Sequence, residues 1–497
     1  MPMKSAGSPQ GTGLRVAMAT PEMAPFARTG GLSDVLASLP KALGRLEVKV
    51  SVILPAYRSV LRGGFPLEDT GVRLRVPVAQ REEEAALLRT GAGQATSVYF
   101  VRADKYFDRD QLYGTADGDY ADNGERFVFF SRAVLEVLKL DPPHVLHGHD
   151  WQAALAIVFL KAQPQRYPEL ATARTVLTVH NPGYQGLVSA QDWGLLGLEA
   201  AYFTPRYLEY YGQVNFLKGG AVFADAIATV SPSYAEEIKT PERGFGLDGV
   251  FRERARDLVG ILNGADYQVW DPRADSFIAR NYGPEDLEGK RACKAALQQA
   301  FGLAEGPETP LVGMVTRLAA QKGMDLVQAA LPGLLDRGAQ LALLGTGDRV
   351  FEESFRLLPS RHPGKVGVII GFDDALAHKV IAGADLLLMP SRYEPAGLGQ
   401  VYSLKYGTIP IVRATGGLKD TVQEFDPTER RGNGFLFGPY EASALLQAVD
   451  RALALFQRKD QWAVLMRNAM AADFSWDRPS RAYLDLYRRL LAGQSPG

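Results

Sequence analysis

Three charged residues in the second half of this chain, Arg317, Lys322 and Glu394, have types and positions that could do chemistry: two cations that suit a departing diphosphate, and an acid where a ligand would sit. Glu394 follows the apolar run Ala384-Asp-Leu-Leu-Leu-Met389 and the strand stop Pro390-Ser391. It precedes a helix expected from about Gly397 to Tyr406, closed by Gly407. A carboxylate so placed lies at the carboxyl end of a parallel strand, where open α/β sheets bind ligands. Taken alone, Glu394 reads better as an acid favoured by a helix dipole. Arg317 and Lys322 follow the strand-like run Pro310-Leu-Val-Gly-Met-Val315. Two cations there neutralise charge as the bond to a diphosphate breaks. The plainer alternative is a pair of solvated loop cations.

Two Gly-Gly turns, Arg28-Thr-Gly30-Gly31-Leu-Ser-Asp34 and Ala414-Thr-Gly-Gly-Leu-Lys-Asp420, each open a helix and present backbone N–H groups to phosphate oxygens. Arg28 adds a cation beside the first. In the first half, Pro143-His-Val-Leu-His-Gly-His-Asp150 and Thr175-Val-Leu-Thr-Val-His180-Asn181 put polar residues at strand ends. Asp150 reads as a cap or hydroxyl acceptor, and His180 occupies a crevice position. The spacing His147-x-His149-Asp150 could hint at a metal, but no further carboxylate cluster accompanies it. The aromatic segment Tyr106 to Asn123, with Tyr113, suits sugar faces as well as ordinary core packing. Asp122 or Asn123 is expected to cap the helix that follows.

These residues need two doubly wound sheets to hold them. The alternation of apolar runs with helical stretches is that of an α/β protein with parallel sheets, and 497 residues exceed one compact core. The expected division is 1–262, 263–475 and a terminal helix within 476–497. Three further stretches are read as a solvated run at Arg81-Glu-Glu-Glu, helices on the rim from Asp192 to Tyr211, and a mobile loop from Thr240 to Asp248. A net charge of −1 gives no basic excess for nucleic acid or a membrane surface. The single cysteine, Cys293, excludes an intrachain disulfide. No run is long enough to span a membrane, and Met1 to Gly13 lacks the apolar core of a signal peptide. A cytoplasmic protein is expected.

Arg28-Thr-Gly-Gly-Leu, His147-Gly-His-Asp-Trp, Thr178-Val-His-Asn, Leu262-Asn-Gly, Thr316-Arg-Leu-x-x-Gln-Lys-Gly, Glu394-Pro-x-Gly-Leu and Thr415-Gly-Gly-Leu stand in one order along the chain. In that order and spacing the chain resembles, end to end, the bacterial glycogen synthases and plant starch synthases, retaining glycosyltransferases of GT-B architecture. The resemblance implies two Rossmann-like domains facing a cleft. It implies transfer of glucose from ADP-glucose to the non-reducing end of an α-1,4-glucan such as glycogen, with no cofactor or metal. On that likeness Arg317 and Lys322 would hold the diphosphate, Glu394 the donor glucose, and His180 would lie beneath the sugar. Asn263 would bind sugar hydroxyls, Phe372 would stack on adenine, and Gly31 and Asp34 would help seat the nucleotide together with Gly397, Leu398 and Gly399. Glu22, Tyr113, Asp150 and Asn181 would line the cleft on the acceptor side. Three departures stand out: Arg28 replaces the family's lysine, Ala396 and Gly399 replace its cysteine and threonine, and Gln152 replaces a histidine. They leave a UDP-glucose enzyme, or a glucan-binding homologue without catalysis, as alternatives.

Overall fold

The computed structural model describes residues 13–92, 96–115 and 118–496; the polar stretch before Gly13 lies outside them. The chain's internal contacts divide into two units. The first comprises 1–230, 235–261 and 476–497, and the second comprises 231–234 and 262–475.

The first unit is built on nine strands: β1 (Arg15–Ala19), β2 (Lys49–Pro55), β3 (Glu68–Val78), β4 (Arg81–Ala92), β5 (Thr96–Arg102), β6 (Val145–His149), β7 (Arg174–Val179), β8 (Ala226–Thr229) and β9 (Leu258–Gly260). They lie in the order β9-β8-β7-β6-β1-β2-β5-β4-β3. All neighbours are parallel except the β3–β4–β5 edge, which is antiparallel. The chain passes from β1 to β2 on one side and later returns to place β6 on the other. The order therefore reverses between β1 and β6, with Ala19 opposite both Ile53 and Gly148. The helices Gly31–Gly44, Asn123–Leu138 and Asp150–Ala162 bury most of their residues around this sheet. The terminal helix Asp477–Leu491 packs on Gly31–Gly44 within the same unit.

One local expectation is extended and two are corrected. Arg81-Glu-Glu-Glu is largely exposed, as expected, and it also opens β4, whose Glu82 to Glu84 pair with Arg75 to Pro77 of β3. Near the antiparallel edge of the sheet, charged side chains can stay in water while the backbone pairs as a strand. Thr240 to Asp248 contains the helical turn Pro241–Gly244 and runs into the helix Asp248–Glu253. Proline there occupies the first helical position, where its missing N–H costs nothing. Asp192 to Tyr211 holds only the four-residue helix Trp193–Leu196, short 3-10 turns and the strand Glu209–Tyr210, which joins a small three-stranded sheet.

The second unit carries six parallel strands: β10 (Leu311–Val315), β11 (Gln340–Gly345), β12 (Val366–Ile370), β13 (Leu386–Met389), β14 (Ile409–Arg413) and β15 (Phe435–Phe437). Their order is β12-β11-β10-β13-β14-β15, which in chain order is the 3-2-1-4-5-6 winding of dinucleotide-binding sheets. Leu341 and Leu343 of β11 enter the larger apolar cluster, while Ala342 and Leu344 enter a second one. Successive side chains thus bury both faces, which is why these strands read as unbroken apolar runs. The switch point falls between β10 and β13.

Candidate active site

In the second unit the switch point brings together residues 72 apart in the sequence. After β10 the chain turns through Gly323, whose φ is +77°. A Cβ there would collide with the Pro390 carbonyl at the end of β13, so the two strand ends touch and only glycine fits. That contact delivers Lys322 to Glu394: the ammonium donates to both carboxylate oxygens, at 2.8 and 2.6 Å. Ser391 Oγ donates to the same carboxylate at 2.9 Å. Glu394 is 4% exposed, a burial that a carboxylate tolerates only when paired. An ammonium has three N–H donors, so Lys322 keeps one for a ligand oxygen. Arg317 is exposed, and its guanidinium donates to Gln321 at 3.0 Å. The second Gly-Gly turn closes over this loop, with Gly417 N–H donating to the carbonyls of Glu394 and Pro395 at 3.1 and 3.2 Å. Gly397 sits at φ +67°, and Gln400 donates to the Ala396 and Gly397 carbonyls, each at 3.0 Å. Leu398 and Gly399 are half-buried at the start of the helix Gly399–Lys405. Phe372, just past β12, is 71% exposed. Asn263 is 6% exposed, and its Oδ1 finds no partner among the described residues. An orphaned buried acceptor of this kind is rare in a finished fold.

The first unit builds its own polar cluster at the reversal of strand order. Glu22, just past β1, accepts from the Thr29 N–H and hydroxyl, each at 2.6 Å, and from the Tyr113 hydroxyl at 2.7 Å. Arg28 lies 3.5 Å from Asp34, across Gly30 and Gly31. Past β6, Asp150 opens a helix at φ +56°, a region that Asp and Asn enter more readily than other residues. Its Oδ1 accepts from the His180 N–H at 2.7 Å, which fixes the peptide at the end of β7. His180 Nε2 and His149 Nδ1 are 3.0 Å apart and share one proton between them. His147 lies against the Tyr487 hydroxyl at 2.8 Å and the Thr178 hydroxyl at 2.6 Å. Asn181 turns inward to cap Gly183 N–H at 3.0 Å. Burial pushes His147 and His180 down to about 3 and His149 well below its ordinary range, so all three rings are neutral at pH 7. Burial raises Asp150 to about 7, against hydrogen bonds from the His180 and Asn181 backbone that lower it.

The Asp150 shift has a measurable sign. A carboxyl raised in the folded state contributes stability in full below its unfolded pKa, near 3.8, and loses it as pH rises through about 7. Asp150→Asn keeps the acceptor oxygen and removes the charge. Its melting temperature is therefore expected to match the parent at pH 4 and to exceed it at pH 8, as thermal melts across that range would read.

Several of these contacts were invisible in the sequence. Neither Asp122 nor Asn123 caps its helix by a side chain: Asp122 binds Arg109 at 2.8 and 2.5 Å, and Asn123 donates to the Tyr113 carbonyl at 2.8 Å. The segment that carries Tyr113 is organised by Arg126, fully buried, which donates to the Tyr106 and Leu112 carbonyls and to Asn123 at 2.8, 3.0 and 2.6 Å. An arginine inside the apolar helix Asn123–Leu138, one of two buried there with Arg132, was the available signal. Thr29 and Ser391 also went unnoticed, each a short hydroxyl within seven residues of the carboxylate it serves. Among the described residues no group of three or more His, Cys, Asp or Glu is placed to hold a metal, and no helix is long and apolar enough to cross a membrane.

Comparison with known proteins decides the family. Residues 15–253 match the family model described as starch synthase catalytic domain, and residues 298–463 match glycosyl transferases group 1. The chain is 46% identical over 482 residues to the glycogen synthase of Syntrophotalea carbinolica, covering 96% of this chain and 99% of that one. It is 49% identical over 475 residues to the glycogen synthase of an Anaeromyxobacter species, covering 95% and 98%. The chain belongs to the glycogen synthase and starch synthase family. Among solved structures, the catalytic domain of starch synthase IV from Arabidopsis thaliana, bound to ADP and acarbose, has a TM-score of 0.88 at 33% identity, with 97% of this chain and all of that one covered. This glycogen synthase relative is a glucosyltransferase of the GT-B fold, and both of its units have the parallel α/β winding of that fold.

Proposed function

We propose that this family member transfers glucose from ADP-glucose to the non-reducing end of an α-1,4-glucan, with retention of configuration, in the cytoplasm and without a metal or other cofactor. The observation that carries the reading is the Lys322–Glu394 pair at the switch point of the second unit, with Arg317 on the same loop as Lys322. The starch synthase bound to ADP and acarbose supports a nucleotide and a glucan as ligands. Lys322 and Arg317 bind the diphosphate and neutralise it as the C1–O bond to phosphate breaks. The acceptor 4-hydroxyl forms the new bond to C1 on the same face, and its proton passes to the departing diphosphate. Both oxygens of Glu394 are held by Lys322, and one also by Ser391. This favours a role in gripping the hexose and balancing Lys322 over direct attack on C1. Within the first unit, His180 and Asp150, one backbone hydrogen bond apart, bind sugar hydroxyls together with Glu22, Tyr113 and Asn181. Asn263 gives its unpartnered oxygen to a sugar hydroxyl, and the exposed Phe372 ring stacks on adenine. Arg28, Gly31 and Asp34 of the first unit bind the nucleotide.

The Arg28, Ala396 and Gly399 departures make donor choice the deciding measurement. With glycogen as acceptor, nucleoside diphosphate release is expected from ADP-glucose at a kcat/KM at least tenfold above that from UDP-glucose, unchanged by EDTA. Preference for UDP-glucose would transfer the assignment to that donor. Glycogen binding without turnover of either donor would identify a non-catalytic homologue.

A further inference from the structure

Trp270 lies in the second unit, seven residues after Asn263, and both faces of its indole are covered. His378 stacks on one at a centroid distance of 3.7 Å and an interplanar angle of 8°. Tyr402 stacks on the other at 4.2 Å and 6°. A ring sandwiched on both sides has no face left for a base or a sugar, so its role is to hold its neighbours. Those neighbours come from two helices. His378 belongs to Asp374–Gly383, which begins directly after Phe372 and Asp373. Tyr402 belongs to Gly399–Lys405, which begins directly after Gly397 and Leu398 and five residues after Glu394.

A buried polar knot locks the same two helices from beneath. Asp275 is 5% exposed, and its Oδ2 is 2.7 Å from His378 Nδ1 and accepts from the Tyr406 hydroxyl at 2.6 Å. Its Oδ1 accepts from the Phe277 N–H at 2.8 Å. Tyr282 donates to the Tyr406 carbonyl at 2.9 Å and to the Ala382 carbonyl at 3.3 Å, again tying one helix end to the other. A carboxylate in this setting stays buried only while its donors are in place, so the knot is rigid.

We propose that Trp270, with the Asp275–His378 pair and Tyr406, is a positioning assembly that holds the Phe372 loop and the Glu394–Gly399 loop at the spacing a nucleotide sugar requires. This rests on the donor-binding reading above. None of these side chains touches substrate; they act through the two helices that the donor-binding loops begin. The register of those helices sets donor affinity, while the Lys322–Glu394 pair, held by its own contacts with Pro390 and Ser391, stays intact.

The test compares Trp270→Phe, Trp270→Leu, His378→Gln and Tyr406→Phe with Leu445→Ala. Leu445→Ala truncates a fully buried side chain of the same unit in the helix Ala442–Phe456, away from the knot. Each is assayed well below its melting temperature, with whichever nucleoside diphosphate glucose the parent turns over. Trp270→Leu, His378→Gln and Tyr406→Phe are expected to raise KM for the donor about tenfold, as misplacement of binding groups does. They leave kcat within about twofold and KM for glycogen unchanged. Trp270→Phe, which keeps a flat ring between His378 and Tyr402, restores most of the donor KM. Leu445→Ala lowers the melting temperature without moving KM. An unchanged donor KM in Trp270→Leu and His378→Gln, or an equal rise in Leu445→Ala, overturns the proposal while leaving the glucosyltransferase reading in place. Calorimetric binding of ADP to the parent separates the two failures, because a parent that neither binds ADP nor turns over any donor removes the reading itself.

Discussion

Glu394→Gln is expected to reduce glucosyl transfer by about a hundredfold to a thousandfold, the range seen when one preorganised electrostatic contact to a developing charge is removed. Glutamine fills the same volume and still accepts from Ser391, so the loop after β13 keeps its course. What it loses is charge. Lys322 is then an ammonium whose side chain is 18% exposed, without its carboxylate. It turns toward the only anion that arrives, the diphosphate of the donor. Donor KM is therefore expected to stay level or fall while kcat collapses, the signature of a group that acts in the transition state more than in binding. Glu394→Ala loses the sugar contact as well and falls further. Stability supplies the cross-check. Removing one partner of a buried pair costs about 3–5 kcal/mol, so either Glu394→Gln or Lys322→Met alone lowers the melting temperature of the second unit. The double variant recovers much of that loss and none of the activity. Full turnover by Glu394→Ala would end the proposed role.

The strands that carry this site were legible because parallel strands buried on both faces leave continuous apolar runs, as in Leu386–Met389 and Leu311–Val315. Arg317, Lys322 and Glu394 were legible as candidates because charged residues just past such runs are few. Their meeting was not. Lys322 and Glu394 are 72 residues apart, Glu22 and Tyr113 are 91 apart, and His147 reaches its hydroxyl partner across 340 residues. Such pairings follow from strand order, and local periodicity carries no information about order. At Arg81-Glu-Glu-Glu the solvation was legible but the strand was not, for the converse reason. An edge strand with a wet face shows charge where a buried strand shows leucine. The aromatic clamp on Trp270 was equally hidden, since its stacking partners sit on helices more than a hundred residues downstream. Asp150 was assigned to a cap or an acceptor by position alone; its left-handed backbone and raised pKa are tertiary properties.

Gly417→Ala is expected to be among the most damaging single methyls that can be added near the site. A Cβ at Gly417 would collide with the Ala396 carbonyl oxygen and sit 2.5 Å from its Cα and 2.6 Å from its carbonyl carbon. These neighbours are backbone of the loop after Glu394, which is pinned by the Gly417 N–H itself and by Gln400. Neither side can yield without breaking those hydrogen bonds. Overpacking of this kind costs about 1–3 kcal/mol where side chains can move, and more is expected where the obstacle is main chain. The second unit should melt several degrees earlier, and activity should fall at least tenfold even at temperatures where the fold survives, because displacement of Ala396 moves Glu394. Gly399 is the internal control. A Cβ there meets only Met389 Sδ at 3.5 Å, its Cε at 3.7 Å and Leu387 at 3.8 Å, all ordinary contact distances. Gly399→Ala should therefore leave melting temperature and turnover near the parent's, and Gly399→Thr, which returns the family's hydroxyl, should lower the donor KM if that hydroxyl serves the phosphates. Equal tolerance at 417 and 399 would mean that the Gly-Gly turn does not seat against the Glu394 loop, and the close packing that defines this half of the site would have to be abandoned.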